Sequence, residues 1–512
     1  MPLPTDYALL KLIMNKLTRY DLISLALLFV IFIFSLARIP YLPQYVDGYY
    51  HLSVANAFIK SGGWVNWAWW DFAPLGRPHL YPPLYHILLS GLIKSGASGL
   101  FALQLTESMA VPLFFTIFWF VMRQLGGFRI AFFSLVPLSG YFPFFTSVSG
   151  NVPATIALIM GFLSWLFFYR KQFISSIIFL TLAFYTHAGI PWMFIFSYLF
   201  ILIFSDHRRD VLWVIVVSLL LAAPFLAHEF VNRYAVSLKA LGEQNFTRFS
   251  VLVLLGSVIG LIVSIRKMPL LSCLSLGLVV GAYLVFNKYP YRFFSAQGMV
   301  GVMILASLFW DKLFTFLKGK ERWLMLFLFF IIFAAFHPVV EREYDKLSLN
   351  SSGGTYLRLL TGDVDDFMYS SMYVPQVYTP TVEAIKKFSD EDDIIISNMR
   401  IAGQIFAALS NRANGYSMLG EVSGGDSGPD YAQAKLIIWA KDNISTKINH
   451  VSVSWLKEVI QDDMDYVFMN TNNPAKIKIV PAKIGFGVIY FFLAVAFIII
   501  FWEISFFKRS VV

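Results

Sequence analysis

Apolar stretches long enough to cross a bilayer recur along this chain, and they decide its class before any motif is read. A spanning helix needs about 20 predominantly apolar residues. Runs of that kind are predicted near 21–39, 100–122, 129–147, 152–169, 172–187, 189–205, 211–228, 249–265, 270–287, 293–310, 323–338 and 484–506, twelve in all. With 58% hydrophobic and 14% charged residues, the chain has more apolar surface than a soluble domain can cover. The expected fold is a polytopic α-helical membrane protein of about 12 spans, with a C-terminal mixed α/β extracytoplasmic domain before the last span.

Lys11, Lys16 and Arg19 precede the first run, Leu22 to Ala37, and no small-residue cleavage site follows it. That run is expected to stay as an uncleaved span. Cys273 is the single cysteine, so no disulfide can form within the chain. Positive residues set the orientation. With the N-terminus inside, the inner loops hold Arg123 and Arg129, Arg170 and Lys171, Arg208 and Arg209, Arg266 and Lys267, then Lys312, Lys318, Lys320 and Arg322. The tail holds Lys508 and Arg509. This alternation requires residues 81–97, YPPLYHILLSGLIKSGA, to form an interfacial helix that does not span. The outer face then collects 40–99, 148–151, 188, 229–248, 288–292 and 339–483. The expected localisation is a multi-pass protein of the cell membrane, or of the endoplasmic reticulum in a eukaryote, with both termini cytoplasmic.

Three regions follow: a membrane module, 1–338, whose first outer loop, 40–99, carries the site; an extracytoplasmic α/β domain, 339–482; and a final helix with its tail, 483–512. In the middle region DDIIISNM and DYVFMN read as short strands, while RIAGQIFAAL and YAQAKLIIWAKD have helical spacing. Asn-x-Ser/Thr sequons at Asn245, Asn350 and Asn443 all fall on the outer side. Residues 339–482 carry a net −6 and the remainder +15. A basic membrane part suits anionic lipid headgroups and gives no reason to expect nucleic acid.

Topology makes the search for chemistry small. Outside the soluble region only Asp47, Asp71, Glu229 and Glu243 are outer-face carboxylates. Asp47 follows the first span closely, where it suits a proton acceptor or a ligand for a divalent cation, Mg or Mn. It equally suits the cap of a helix GYYHLSVANAFIK. Asp71, in WAWWDFAP, suits a solvated turn among interfacial tryptophans. Arg77, His79 and Tyr81 precede or open a Pro-rich corner, and Arg292 lies where a span begins. Guanidinium and imidazole donors there suit phosphate oxygens. His51, His187 and Glu107 are further candidates, Glu107 as an ionisable group at membrane depth.

The run VDGYYHLSVANAFIKSGG…WWDFAPLGRPHLYPPLYHIL resembles the first outer loop of the catalytic subunit of oligosaccharyltransferase, and more broadly of GT-C membrane glycosyltransferases. The matching positions are Asp47, Tyr49, Tyr50, Trp69, Trp70, Pro74 to Arg77, and Tyr81 with Pro82. Looser similarities lie in TSVSGNVPATIALIM, FYTHAGIPWMF and YRFF around Arg292. The resemblance implies a GT-C-like bundle and a sugar donor linked to polyprenyl or dolichyl phosphate, mono- or diphosphate. It implies inverting transfer to an acceptor glycan, lipid or protein, with Asp47 as base and Arg77, His79, Tyr81 and Arg292 about the donor. The sequence departs from the oligosaccharyltransferase pattern at Gly150-Asn151-Val152-Pro153, where the pattern has acidic metal ligands. It also lacks the soluble-domain peptide motif, since the WWD at Trp69–Asp71 lies in the first loop. An oligosaccharyltransferase acting on sequons is thus the alternative enzyme, and a transporter or flippase the alternative of another class.

Overall fold

The structure, a computed structural model, describes residues 17–43, 45–204, 208–235, 246–265, 269–289, 292–293, 295–343, 346–350, 378–416, 430–440, 456–461 and 465–510. The chain opens with α1 (Arg19–Ala37) and α2 (Val46–Ser61). A loop with the short strands β1 (Gly63–Trp64), β2 (Trp67–Ala68) and β3 (Arg77–Pro78) leads to α3 (Leu84–Lys94). The bundle continues through α4 (Gly99–Gly126), α5 (Phe128–Gly140), α6 (Phe142–Gly150), α7 (Val152–Tyr169), α8 (Phe173–Phe184), α9 (Ile190–Phe204) and α10 (Arg208–Val231). Then come β4 (Phe246–Phe249), α11 (Val251–Ser264), α12 (Pro269–Val285), α13 (Met299–Phe316) and α14 (Gly319–Phe330), which runs into a π-helical turn. The C-terminal part holds β5 (Val339–Glu343), β6 (Lys346–Asn350), α15 (Thr379–Phe388), β7 (Ile394–Ser397), α16 (Arg400–Ser410), β8 (Ala413–Asn414), β9 (Leu436–Ala440), β10 (Leu456–Gln461), β11 (Asp465–Asn470), β12 (Ile484–Gly485) and α17 (Phe486–Ser510).

Six of these helices, α1, α4, α7, α10, α13 and α17, are long and apolar enough to cross a membrane; α3, α5, α8, α9, α11 and α12 are apolar but shorter. The predicted run 129–147 is broken into α5 and α6 at Tyr141, whose ψ of 96° is not helical, with Pro143 following where it lacks an N–H to donate. In the predicted run 293–310 the long helix α13 starts at Met299, after a turn closed by the Gly298 N–H donating to the Arg292 carbonyl at 3.0 Å. At 11 residues α3 is about 16 Å long, too short to span, as residues 81–97 required.

Residues 394–470 supply a five-stranded sheet in the order β10-β11-β9-β7-β8, with β7 parallel to β8 and β9 and the other pairs antiparallel. The described part of the stretch YAQAKLIIWAKD, residues 431–440, is a turn followed by β9, not the predicted helix. Leu436, Ile437 and Ile438 are buried on both sheet faces, which a continuous apolar triplet satisfies in a central strand. Alternate residues sort to opposite faces. Ile395 packs with Ile405 and Phe406 of α16 and with Tyr49 and Leu52 of α2. Ile394 and Ile396 pack with Tyr50, Phe58, Trp69 and Trp70. The α/β region is therefore docked on the first loop. Polar contacts lock it there: Gln404 Nε2 donates to Ser53 Oγ at 2.9 Å, and Lys60 Nζ to the Asn411 carbonyl at 3.0 Å.

β5 and β6 do not join that sheet. β5 pairs antiparallel with β4, from the loop before α11, and β6 pairs antiparallel with β5; Arg248 of β4 forms an ion pair with Glu341 of β5 at 2.7 Å. At the other end of the bundle Arg123 and Arg129 meet Asp21 and Asp311, each at 2.7 Å. Of the sequons, Asn350 ends β6, while Asn245 and Asn443 lie outside the described residues.

The bundle relies on close backbone approach between α11 and α13. A Cβ on Gly260 would lie 2.0 Å from the Leu305 carbonyl oxygen, so only glycine fits there. Gly260→Val is expected to force the two helices apart and cost about 1–3 kcal/mol, read as a lower midpoint in thermal unfolding of the detergent-solubilised protein.

Candidate active site

α2 begins at Val46 with Tyr45 in the capping position and no side-chain cap. Asp47 is thus not the cap; it sits in the first turn with its carboxylate available. Helical periodicity puts Asp47, Tyr50 and His51 on one face. The residues between, Tyr49, Leu52 and Ser53, face α16 and the sheet. The first face opens on a cavity of about 450 Å³, lined also by Arg77, Tyr81, His187, Glu229, Tyr289 and Arg292. A second cavity, about 320 Å³, is lined by Tyr45, Thr146, Ser147, Arg248 and Ser295. Asp47, Asn151 and Arg292 border both. A carboxylate, an amide and a guanidinium therefore mark the junction of two spaces, each of a size that holds a small ligand.

Five of the six predicted outer loops line these cavities: Asp47 from 40–99, Asn151 from 148–151, Ala188, Glu229 and Arg248 from 229–248, and Tyr289 and Arg292 from 288–292. The sixth reaches them through the ion pair of Glu341 with Arg248. Segments that charge counting put on one side of the membrane thus converge on one groove.

Burial pushes the Asp47 carboxyl above its ordinary range, and the nearby Arg292 guanidinium pulls it back. Arg292 itself lies over the rings of Phe286 and Tyr289, 5.6 and 5.8 Å from their centroids. His51 also borders the cavity. Its Nδ1 is 2.9 Å from His86 Nε2, and burial holds its pKa down to about 3, so the ring is neutral. Tyr81 packs edge-on to it, with centroids 4.9 Å apart. His187 borders the cavity and also shapes the backbone beside it. Its Nδ1 accepts the N–H groups of Gly189 and Ile190 at 3.0 and 3.2 Å, closing the start of α9. It too is kept neutral by burial, down to about 3.

Other expected site residues fall elsewhere. Asp71 is no solvated turn residue: it is 2% exposed and paired with Arg77, 3% exposed, at 2.7 Å. Arg77 borders the cavity, but its charge is balanced by that carboxylate, and Tyr50 Oη accepts from Nη2 at 3.5 Å. It is an internal ion pair in place of a free phosphate clamp. His79 is 1% exposed and lines neither cavity; its carbonyl accepts from His228 Nε2 at 3.0 Å, and its ring packs against Phe58 and Trp70. Burial and the neighbouring Arg77 hold it well below the usual imidazole range. It supports the loop and does not face a donor. Glu107 lines neither cavity either. It is buried beneath Gly48, where a Cβ would come within 2.5 Å of its Oε1, and it interacts electrostatically with Arg38. Glu243 lies outside the described residues.

Asn151, Ser147 and Arg248 were not singled out from the sequence as site residues. Asn151 Oδ1 caps α7 by accepting the Ala154 N–H at 3.2 Å, which aims the loop at Asp47. The only sequence signal was its place in GNVP at the second outer loop. Among the described residues no three His, Cys, Asp or Glu side chains converge to hold a cation. The oxygen donors at the junction are the Asp47 carboxylate and the Asn151 amide.

No family model matches the chain, and no curated protein matches it significantly. Solved structures do. The archaeal oligosaccharyltransferase AglB from Archaeoglobus fulgidus, in complex with an inhibitory peptide and a dolichol-phosphate, is 12% identical with a TM-score of 0.51, over 81% of this chain and 69% of that one. The same enzyme tethered to an acceptor peptide containing the NVT sequon is 13% identical with a TM-score of 0.50, over 81% and 69%. ArnT from Cupriavidus metallidurans bound to undecaprenyl phosphate gives 12% identity and a TM-score of 0.48, over 90% of this chain and 99% of that one. The chain has the fold of the oligosaccharyltransferase. At these identities the likeness extends to the fold, and the chemistry rests on this chain's own residues.

The buried pair makes a stability prediction. Arg77→Ala strands the Asp71 carboxylate and is expected to cost about 3–5 kcal/mol, whereas the double change Asp71→Asn with Arg77→Gln costs less. Thermal unfolding of both variants checks the order.

Proposed function

We propose that this protein is an integral membrane glycosyltransferase that moves a sugar from a polyprenyl-phosphate-linked donor to an acceptor on the extracytoplasmic side. The observation that carries this is the place of Asp47: it stands between two cavities, within the field of Arg292, on a fold shared with a dolichol-phosphate-binding oligosaccharyltransferase. Two cavities meeting at one carboxylate suit two substrates meeting at one reacting atom. The acceptor oxygen attacks the anomeric carbon from one side as its proton passes to the Asp47 carboxylate. The bond from that carbon to the phosphate oxygen breaks, and the polyprenyl phosphate leaves with the electron pair. Arg292 stabilises the charge that builds on it. A single displacement of this kind inverts the anomeric centre. The convergence of the outer loops supports an extracytoplasmic site, and the docked α/β region is well placed to orient the acceptor. A divalent cation, if used, has Asp47 as its carboxylate ligand, with Mg or Mn supplying charge to the leaving phosphate.

The deciding experiment is transfer of labelled sugar from polyprenyl-phosphate donors by purified protein, with and without chelator. Asp47→Asn is expected to lower the rate by on the order of 10²-fold or more; a folded Asp47→Asn protein with full activity removes it as base. Loss of product on chelation, together with glycan transfer to a sequon peptide, would turn the reading to an oligosaccharyltransferase. Uptake into vesicles with no glycosyl product would turn it to a transporter.

The pH profile tests the pair. The base works as a carboxylate, so activity falls as pH drops through its pKa. Burial lifts that limb above the ordinary aspartate range and Arg292 lowers it. Arg292→Gln is expected to move the acid limb of kcat/KM to higher pH, besides lowering kcat.

A further inference from the structure

Glu229 is a carboxylate that the proposed mechanism leaves unused. It stands in the last turn of α10 and borders two spaces: the cavity that holds Asp47, and an adjoining one of about 480 Å³ lined by Leu226, Phe230 and Arg233. Leu80, Trp192 and Glu229 are common to both and form the throat between them. Its helix end is held in place. His228 Nε2 meets the His79 carbonyl at 3.0 Å, and Asn232 Nδ2 meets His228 Nδ1 at 3.1 Å, so the ring donates through Nε2. Glu229 makes no hydrogen bond or ion pair with the described residues.

A carboxylate with four lone-pair sites and no protein donor, at the throat between two cavities, is able to accept hydrogen bonds from a ligand held there. Its surroundings narrow the ligand. An anionic phosphate is repelled by Glu229 and drawn to Arg292 on the same cavity wall. The groups that suit Glu229 are hydrogen-bond donors carried at the other end of the same substrate, and the aromatic side chains of Trp192 and Tyr81 line the same cavity. We propose that Glu229 binds hydroxyl or ammonium groups on the glycosyl moiety of the donor and so selects which sugar is transferred. A site that hydrogen-bonds a substrate group discriminates strongly against analogues lacking it, because the site's own polar atom is then left unpaired. This inference rests on the donor reading above, and it assigns Glu229 to binding and not to the chemical step.

The test is equilibrium binding by the purified full chain, wild type and Glu229→Gln, of two probes: polyprenyl phosphate without sugar, and the same lipid phosphate bearing a hexose or an amino-hexose. Sugarless lipid should bind Glu229→Gln no more weakly than wild type, which also reports that the variant is folded. The sugar-bearing donors should bind Glu229→Gln about 10- to 100-fold more weakly, with transfer impaired through KM and little change in kcat. A larger loss for the amino sugar assigns an ammonium contact, and an equal loss assigns hydroxyls. Unchanged affinity for every sugar-bearing donor, or equal weakening for sugarless lipid, overturns the proposal. A wild-type protein that binds none of the probes overturns the donor reading and this inference with it.

Discussion

The site depends on one helix being held from behind. α2 carries Asp47 on one face, while its other face is buried against α16 and the sheet through Tyr49, Leu52 and the Ser53–Gln404 hydrogen bond. Beneath its first turn, Gly48 lets the Glu107 carboxylate approach more closely than any side chain at that position would allow. Two separate parts of the chain therefore hold the helix that carries Asp47: the α/β region and α4. Burial of apolar surface supplies most of that grip, at roughly 25 cal/mol per Å², and the few polar contacts set its register.

Charge is distributed so that little of it competes for the cavity. Asp71 and Arg77 neutralise each other in the loop core. The histidines at 51, 79 and 187 are held neutral by burial, so they act as packing, caps and hydrogen-bonding groups. Asp47, with Arg292 nearby, and Glu229 at the throat line the cavity itself. In a space partly shielded from water these charges act more strongly on a bound substrate than they would in solution. The Asp47 carboxyl is consequently poised by two opposed effects, burial and a neighbouring cation.

The likeness to AglB at 12% identity is a likeness of helix packing and not of side-chain detail. Bundles tolerate exchange among apolar residues of similar volume, so a fold can be shared at this identity. At the second loop Asn151 caps α7 beside Asp47.

Membrane class and the sorting of loops to one side were legible in the sequence, because hydropathy and positive charge are sums over neighbouring residues. The place of Asp47 just after the first apolar run and the shortness of α3 were legible for the same reason: each lies within a few residues of the boundary that defines it. The break at Tyr141 and the strand at Leu436–Ala440 were not, since an apolar run reads alike as helix or buried strand until its neighbours are known. The separation of the first-loop residues into cavity wall and internal support was decided only by tertiary structure. Asp71 and Asp47 are both carboxylates of the first outer loop, yet one meets Arg77 in the loop core and the other opens on the groove. Asn151, Glu229, Arg248 and Arg292 reach Asp47 from loops 100 or more residues away. Pairing and desolvation depend on distances through space, and those distances exist only once the bundle is packed.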